Sequence, residues 1–172
     1  MNIYLYTIPE QETQHTSIPV YDEDRQTAFV LRKSPHRLLN SVLHHMSKVG
    51  MPYCYMAISP DDRPIFKVDC PFSGVGYTIQ SMNSQKKNKI EQYHVQLVEK
   101  VQTFRLQGDD FQFEKDYTGA GVLTRNDEKI AKIESVDSIQ VNTAKRIRIE
   151  ARDDISASLI AVLYQTFIEE QD

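Results

Sequence analysis

An apolar segment near the C-terminal end, residues 154–169, constrains the fold most. Apolar side chains fall on nearly every side of the helix that this segment would form, a pattern typical of a helix that is surrounded on all sides. A bilayer span needs about 20 apolar residues, so this shorter helix should be surrounded by protein. Asp153 or Asp154 is the expected N-cap. The residues expected to be most buried are Leu159, Ile160, Val162, Leu163 and Phe167.

Short β-prone runs separated by tight polar turns make up most of the remaining chain. Ile18–Tyr21 and Thr27–Arg32 flank an acidic turn, for example, and residues 93–97 alternate apolar and polar side chains as a half-buried strand does. About a dozen such runs are typical of a closed barrel or a sandwich. Because a small barrel fills its interior with its own side chains, the additional apolar helix predicts a wider barrel around a plug. The expected fold is mainly β, a closed antiparallel barrel of about twelve strands around a central C-terminal helix.

A second segment, residues 35–49, departs from the β pattern. Ser34 is a suitable N-cap, Pro35 suits the first helical position, and apolar residues recur at helical spacing along one face. We expect an amphipathic helix that lies on the outside of the barrel. Its buried residues should be Leu39, Val42, Leu43 and Met46, with His44, Ser47 and Lys48 exposed.

Length, charge and cysteine content narrow the class of protein. The 172 residues suit one domain, 1–172. A formal net charge of −4 argues against a nucleic-acid binder, which would carry a basic excess. The first residues lack the basic region of a signal peptide and no run spans a membrane, so a cytoplasmic location, peripheral to the membrane at most, is expected. Cys54 and Cys70 lack metal-site spacing and should be buried thiols.

The arrangement of strand and helix types resembles the tubby-like barrel family, which includes the LURP-one-related proteins and phospholipid scramblases, and in particular its short bacterial members. The segments that carry the resemblance are 18–24, Pro64–Val68, Lys129–Ile133 and Leu159–Phe167. The resemblance implies a twelve-stranded barrel around a central C-terminal helix. It also implies a non-enzymatic binding or scaffold domain, because tubby itself binds phosphoinositides through basic side chains. The candidate ligands are a phospholipid headgroup or a protein partner.

Two small basic groups are the candidate binding residues. The first is Lys86, Lys87 and Lys89, within the polar segment 81–92, which we expect to be a mobile loop. The second is Arg32, Lys33 and Arg37, beside the expected amphipathic helix. Either group could instead be an ordinary solvated surface. Any contact with an anionic membrane surface should be weak, because a basic residue contributes about 1 kcal/mol there.

The sequence contains few features that would indicate an enzyme. It lacks a nucleophile elbow, a dinucleotide-binding loop and a metal motif, so no cofactor is expected. Paired carboxylates such as Asp61–Asp62 stand where turns favour Asp. The alternative to a binding domain is an enzyme with a dispersed site at the barrel mouth that uses Tyr93 or His94.

Overall fold

A computed structural model gives the architecture of the chain and describes residues 1–10, 15–35, 53–70, 76–84, 86–96, 99–136 and 144–168. Thirteen strands precede one helix in these ranges. The strands are β1 Asn2–Ile8, β2 Ser17–Tyr21, β3 Thr27–Pro35, β4 Tyr53–Ile58, β5 Pro64–Cys70, β6 Thr78–Ser81, β7 Lys87–Lys89, β8 Glu91–Gln96, β9 Glu99–Leu106, β10 Asp109–Lys115, β11 Gly121–Arg125, β12 Glu128–Ser135 and β13 Lys145–Ala151. The helix, α1, is Asp154–Ile168.

All thirteen strands belong to one antiparallel sheet that curls into a nearly closed barrel. Their order is β7-β6-β5-β4-β3-β2-β1-β13-β12-β11-β10-β9-β8, so neighbours in sequence are almost always neighbours in space. The first and last strands pair over seven residue pairs, from Asn2 with Ala151 to Ile8 with Lys145. The expected antiparallel barrel is confirmed, with thirteen strands where about twelve were expected.

The two ends of the sheet, β7 and β8, are consecutive in the chain and are separated only by Ile90. The chain pairs with β6 through residues 87–89 and with β9 from residue 91 onward, so it changes partner at Ile90. Ile90 is buried, and its N–H donates to the carbonyl of Tyr77 at 2.9 Å. At the far end of β6, the Gln107 side chain donates to Ser81 Oγ at 3.2 Å. The bond between Gln107 and Ser81 joins the two ends of the sheet.

The strand geometry of β7 overturns the expectation that residues 81–92 form a loop. Ser81 ends β6, residues 87–89 form β7, and Glu91 begins β8. The polar composition of the segment predicted too little apolar burial to order it. Backbone pairing with β6 and burial of Ile90 supply that order instead.

Helix α1 lies inside the barrel. Its N-cap is Asp153, whose Oδ1 accepts the N–H of Ser156 at 2.7 Å. The Tyr4 hydroxyl donates to Asp154 at 2.6 Å, and the Tyr53 hydroxyl donates to the carbonyl of Thr166 at 3.2 Å, so strands hold both ends. The expectation of burial is confirmed, with at most 3% exposure for Leu159, Ile160, Val162, Leu163 and Phe167.

The expected amphipathic helix at 35–49 cannot be compared beyond its first residue, because residues 36–49 lie outside the described ranges. Its expected start is wrong. Ser34 and Pro35 continue β3 and pair with Cys54 and Tyr53 of β4. Proline is tolerated at a strand end, where one missing N–H costs little, so pairing with β4 prevails over the local helix-start signal.

The barrel has two unlike ends. At one end, which we call the short-turn end, tight hairpins surround the start of α1. Gln107 and Gly108 both have positive φ, as do Asn126 and Asp127, which is the backbone geometry of two-residue hairpin turns that match strand twist. At the other end, the five-residue turn 116–120 joins β10 to β11.

Candidate functional site

The outer face of strands β3 to β7 carries a regular cross-strand row of basic and uncharged side chains. Arg32 on β3 is opposite Met56 on β4, which is opposite Lys67 on β5. Lys67 is opposite Gln80 on β6, which is opposite Lys87 on β7. Since facing residues on adjacent strands point to the same side of a sheet, all five side chains share one face.

The register places a cation on every second strand of this row. Adjacent strands lie about 4.8 Å apart, so the Cα atoms of successive basic residues in the row are about 10 Å apart across the sheet. Lys89 stands in the next row, opposite Thr78. We call the four basic side chains Arg32, Lys67, Lys87 and Lys89 the basic wall. Lys87 is the most exposed of the three whose side chains form ion pairs, at 57%, against 45% for Arg32 and 28% for Lys67.

A buried carboxylate organises the centre of the basic wall. Asp69 faces outward between Cys54 and Thr78, yet only 5% of it is exposed. Its Oδ2 lies 3.7 Å from Lys67 Nζ and 3.6 Å from Lys87 Nζ. Because a buried carboxylate needs opposite charge nearby, Asp69 holds both ammonium groups on this part of the surface.

The charge of the basic wall stays positive after this pairing. Four cations set against the carboxylate of Asp69 leave three positive charges. Arg32 also lies 3.5 Å from Asp62, whose carboxylate cancels one further charge and leaves two. A positive face therefore stands out on a chain whose formal net charge is −4.

The structure brings together part of the two basic groups predicted from the sequence. Arg32, Lys87 and Lys89 share the outer face, and Lys86 is exposed directly before β7. Lys33 points to the inner face of the sheet, because successive side chains in a strand alternate between the two faces and Arg32 is on the outer one. Its Nζ lies 5.1 Å and 5.4 Å from the ring centroids of Tyr53 and Tyr55. Arg37 lies outside the described ranges.

Sequence reasoning missed Lys67. The signal was present, because Phe66 and Val68 are buried core residues and the residue between them must face outward. Only the pairing register with β4 and β6 shows that Lys67 stands between Arg32 and Lys87. The lengths of the hairpin turns in the sequence do not determine this pairing register.

Tyr93, one of the two residues of the alternative, enzymatic interpretation, does not line the barrel interior. Tyr93 is 51% exposed on β8 and donates a hydrogen bond to Glu91, which raises the pKa of the Tyr93 hydroxyl. His94 pairs through its backbone with Lys100, and its side chain lies outside what the structure describes. Elsewhere in the described ranges, no three His, Cys, Asp or Glu side chains group as metal ligands would.

The two cysteines are buried thiols, as expected, and they lie on opposite faces of the sheet. Cys54 faces outward with its Sγ 3.0 Å from Ser34 Oγ, while Cys70 belongs to the core inside the barrel. Alternation along adjacent strands separates them, so the fold does not pair them.

Comparison with known proteins gives one family. A family model described as "Tubby C-terminal like domain" matches residues 4–170, which span the sheet from β1 through α1. Neither the curated proteins nor the solved structures gave a match. Within the described ranges, no helix has the length and apolar character needed to cross a membrane.

Proposed function

Because the chain belongs to the Tubby C-terminal like domain family, we propose that it is a non-enzymatic binding domain whose basic wall contacts phosphate-bearing anionic surfaces, foremost phospholipid headgroups. Residues 1–172 act as one such domain. The observation that carries the proposal is the cross-strand row, which aligns Arg32, Lys67 and Lys87 on one outer face.

The spacing of the cations suits a surface better than a single small anion. Arg32 and Lys87 stand four strands apart, about 19 Å across the sheet, so they cannot both reach one phosphate, but they can each meet a different headgroup of an anionic bilayer. Each basic residue near such a surface contributes about 1 kcal/mol, so the interaction is reversible and weak. It also weakens as salt shortens the Debye length to about 8 Å at physiological ionic strength.

The filled interior supports binding over catalysis. Apolar side chains of α1 fill the barrel interior, which leaves the interior no room for the converging polar groups of an active site. A domain that binds anionic lipid through one outer face would act at the membrane periphery on its cytoplasmic side, where anionic lipid is concentrated.

Vesicle flotation tests the proposal. The test variant carries Arg32→Gln, Lys87→Gln and Lys89→Gln, which keep Lys67 and its buried partner in place. The matched control carries Arg25→Gln, Lys129→Gln and Lys145→Gln, three exposed or half-buried basic residues away from the wall. At low salt, loss of three cations from the wall should weaken binding to phosphatidylserine-containing vesicles roughly a hundredfold.

The control variant should bind the vesicles nearly as well as the wild type does, although its net charge equals that of the test variant. Equal losses in both variants would mean that overall charge, and not the wall, governs attachment. Tight binding that survives physiological salt in the test variant would point to a headgroup pocket elsewhere. Absence of binding at low salt would reject lipid as the ligand and favour a protein partner.

A further inference from the structure

A cavity of about 450 Å³ opens at the short-turn end of the barrel, between the hairpin turns and the first turn of α1. Its size falls in the range of about 300–1,000 Å³ typical of small-molecule sites. It lies at the barrel mouth, and its lining does not include Arg32, Lys67 or Lys87. We call it the mouth cavity.

The inner lining of the mouth cavity is mostly apolar, with the buried Ser81 and Ser156 as its polar members. Ile155, on the first turn of α1, stands at the rim and is 53% exposed. Deeper in the cavity the lining side chains are buried and belong to different strands and the helix. They are Phe66, Leu106, Phe111, Ile130 and Leu159.

Most charged groups around the mouth cavity already have partners. Asp109 accepts hydrogen bonds from Arg125 at 2.9 Å and from Asn126 at 2.8 Å, and these bonds lower the pKa of its carboxyl. Asp153 is occupied as the N-cap that accepts the N–H of Ser156. The two carboxylates and Arg125 are therefore satisfied within the protein.

Arg63 is the exception. It lies in the turn between β4 and β5 and lines the cavity, and among the residues that the structure describes no carboxylate pairs with its guanidinium. The backbone of the same turn is fixed, since the Arg63 N–H donates to Ser59 Oγ at 3.2 Å. An apolar recess with one uncompensated cation at its rim complements an apolar molecule with one anionic end.

We propose that the mouth cavity binds a small amphipathic anion, with its apolar body against the inner lining and its acidic group on Arg63. The volume admits one short chain or ring system and excludes a two-chain phospholipid. This site is therefore separate from the basic wall, and its ligand is a single-chain or aromatic acid in solution.

Decanoate is a suitable probe, and decanol is its neutral match. We expect decanoate to bind with a Kd below about 1 mM in calorimetry. In spectra of the ¹⁵N-labelled chain, it should shift backbone amides around Arg63, Leu106 and Ile155. Arg63→Gln should weaken decanoate binding about tenfold, which corresponds to 1.4 kcal/mol, and should leave decanol binding unchanged. Ile155→Ser should weaken the binding of both decanoate and decanol, because it removes an apolar contact from the rim.

The control is Lys145→Gln, which removes a cation at the opposite end of the barrel and should bind decanoate like the wild type. Arg63→Gln should also float with anionic vesicles as the wild type does, which separates this site from the wall. The proposal is overturned if decanoate gives no shifts at the mouth, if Arg63→Gln affects decanoate and decanol alike, or if the control loses binding equally.

Discussion

Leu163→Ala tests whether α1 is the core of the barrel. Leu163 is 0% exposed near the middle of the helix. Removing a buried leucine side chain costs about 2–5 kcal/mol, from lost transfer free energy and the cavity left behind. Alanine returns only about 0.2 kcal/mol through its higher helix propensity. We therefore expect the free energy of unfolding to fall by about 3 kcal/mol and Tm to fall by about 6–12 °C.

The matched control is Ile155→Ala, which truncates an aliphatic residue of the same helix at a position that is 53% exposed. Its cost should stay within about 0.5 kcal/mol. Urea unfolding followed by far-ultraviolet circular dichroism measures both variants. A loss below about 1 kcal/mol for Leu163→Ala, or equal losses for the two variants, would refute the placement of α1 inside the barrel.

Two further predictions concern packing and pH. Gly121→Ala should destabilise the fold by about 1–3 kcal/mol in urea unfolding, because a Cβ there would lie 2.7 Å from Phe113 and 2.8 Å from Ile133; full stability would contradict the packing. Burial raises the pKa of both Tyr4 and Tyr164 to about 12 from an ordinary value of 10.0. The folded state thus keeps protons that the unfolded state loses, so stability should hold below pH 10.0 and fall from there toward about pH 12. Urea unfolding across this window checks the trend, Tyr4→Phe should reduce it, and a flat profile would contradict it.

Helix α1 and most strands follow from local sequence patterns. Apolar residues on all sides of residues 154–168 leave burial inside protein as the favourable outcome for a helix of this length. Alternation of apolar and polar residues likewise identifies strands such as β10, where Phe111 and Phe113 face the core. These features depend on residues only a few positions apart in the chain, so the periodicity of apolar residues in the sequence predicts them.

Features that depend on pairing between distant strands were not predicted. The polar composition of the segment around Ile90 predicts a solvated loop, because side-chain composition carries no information about its backbone pairing with β6 and β9. Pro35 looked like a helix start because pairing with Tyr53 is not visible in the local sequence. The sequence predicts Arg32, Lys87 and Lys89 of the basic wall but not Lys67, because only the cross-strand register places Lys67 between Arg32 and Lys87.

The most direct test of the central claim is to locate where an anionic surface meets the chain. Backbone amide signals of the ¹⁵N-labelled protein would be followed while nanodiscs containing phosphatidylserine are added at low salt. The account predicts that the largest changes occur along the row formed by Arg32, Met56, Lys67, Gln80 and Lys87, and that they fade at physiological salt. Changes centred instead on the opposite wall, around Arg146 and Arg148 of β13, would contradict it.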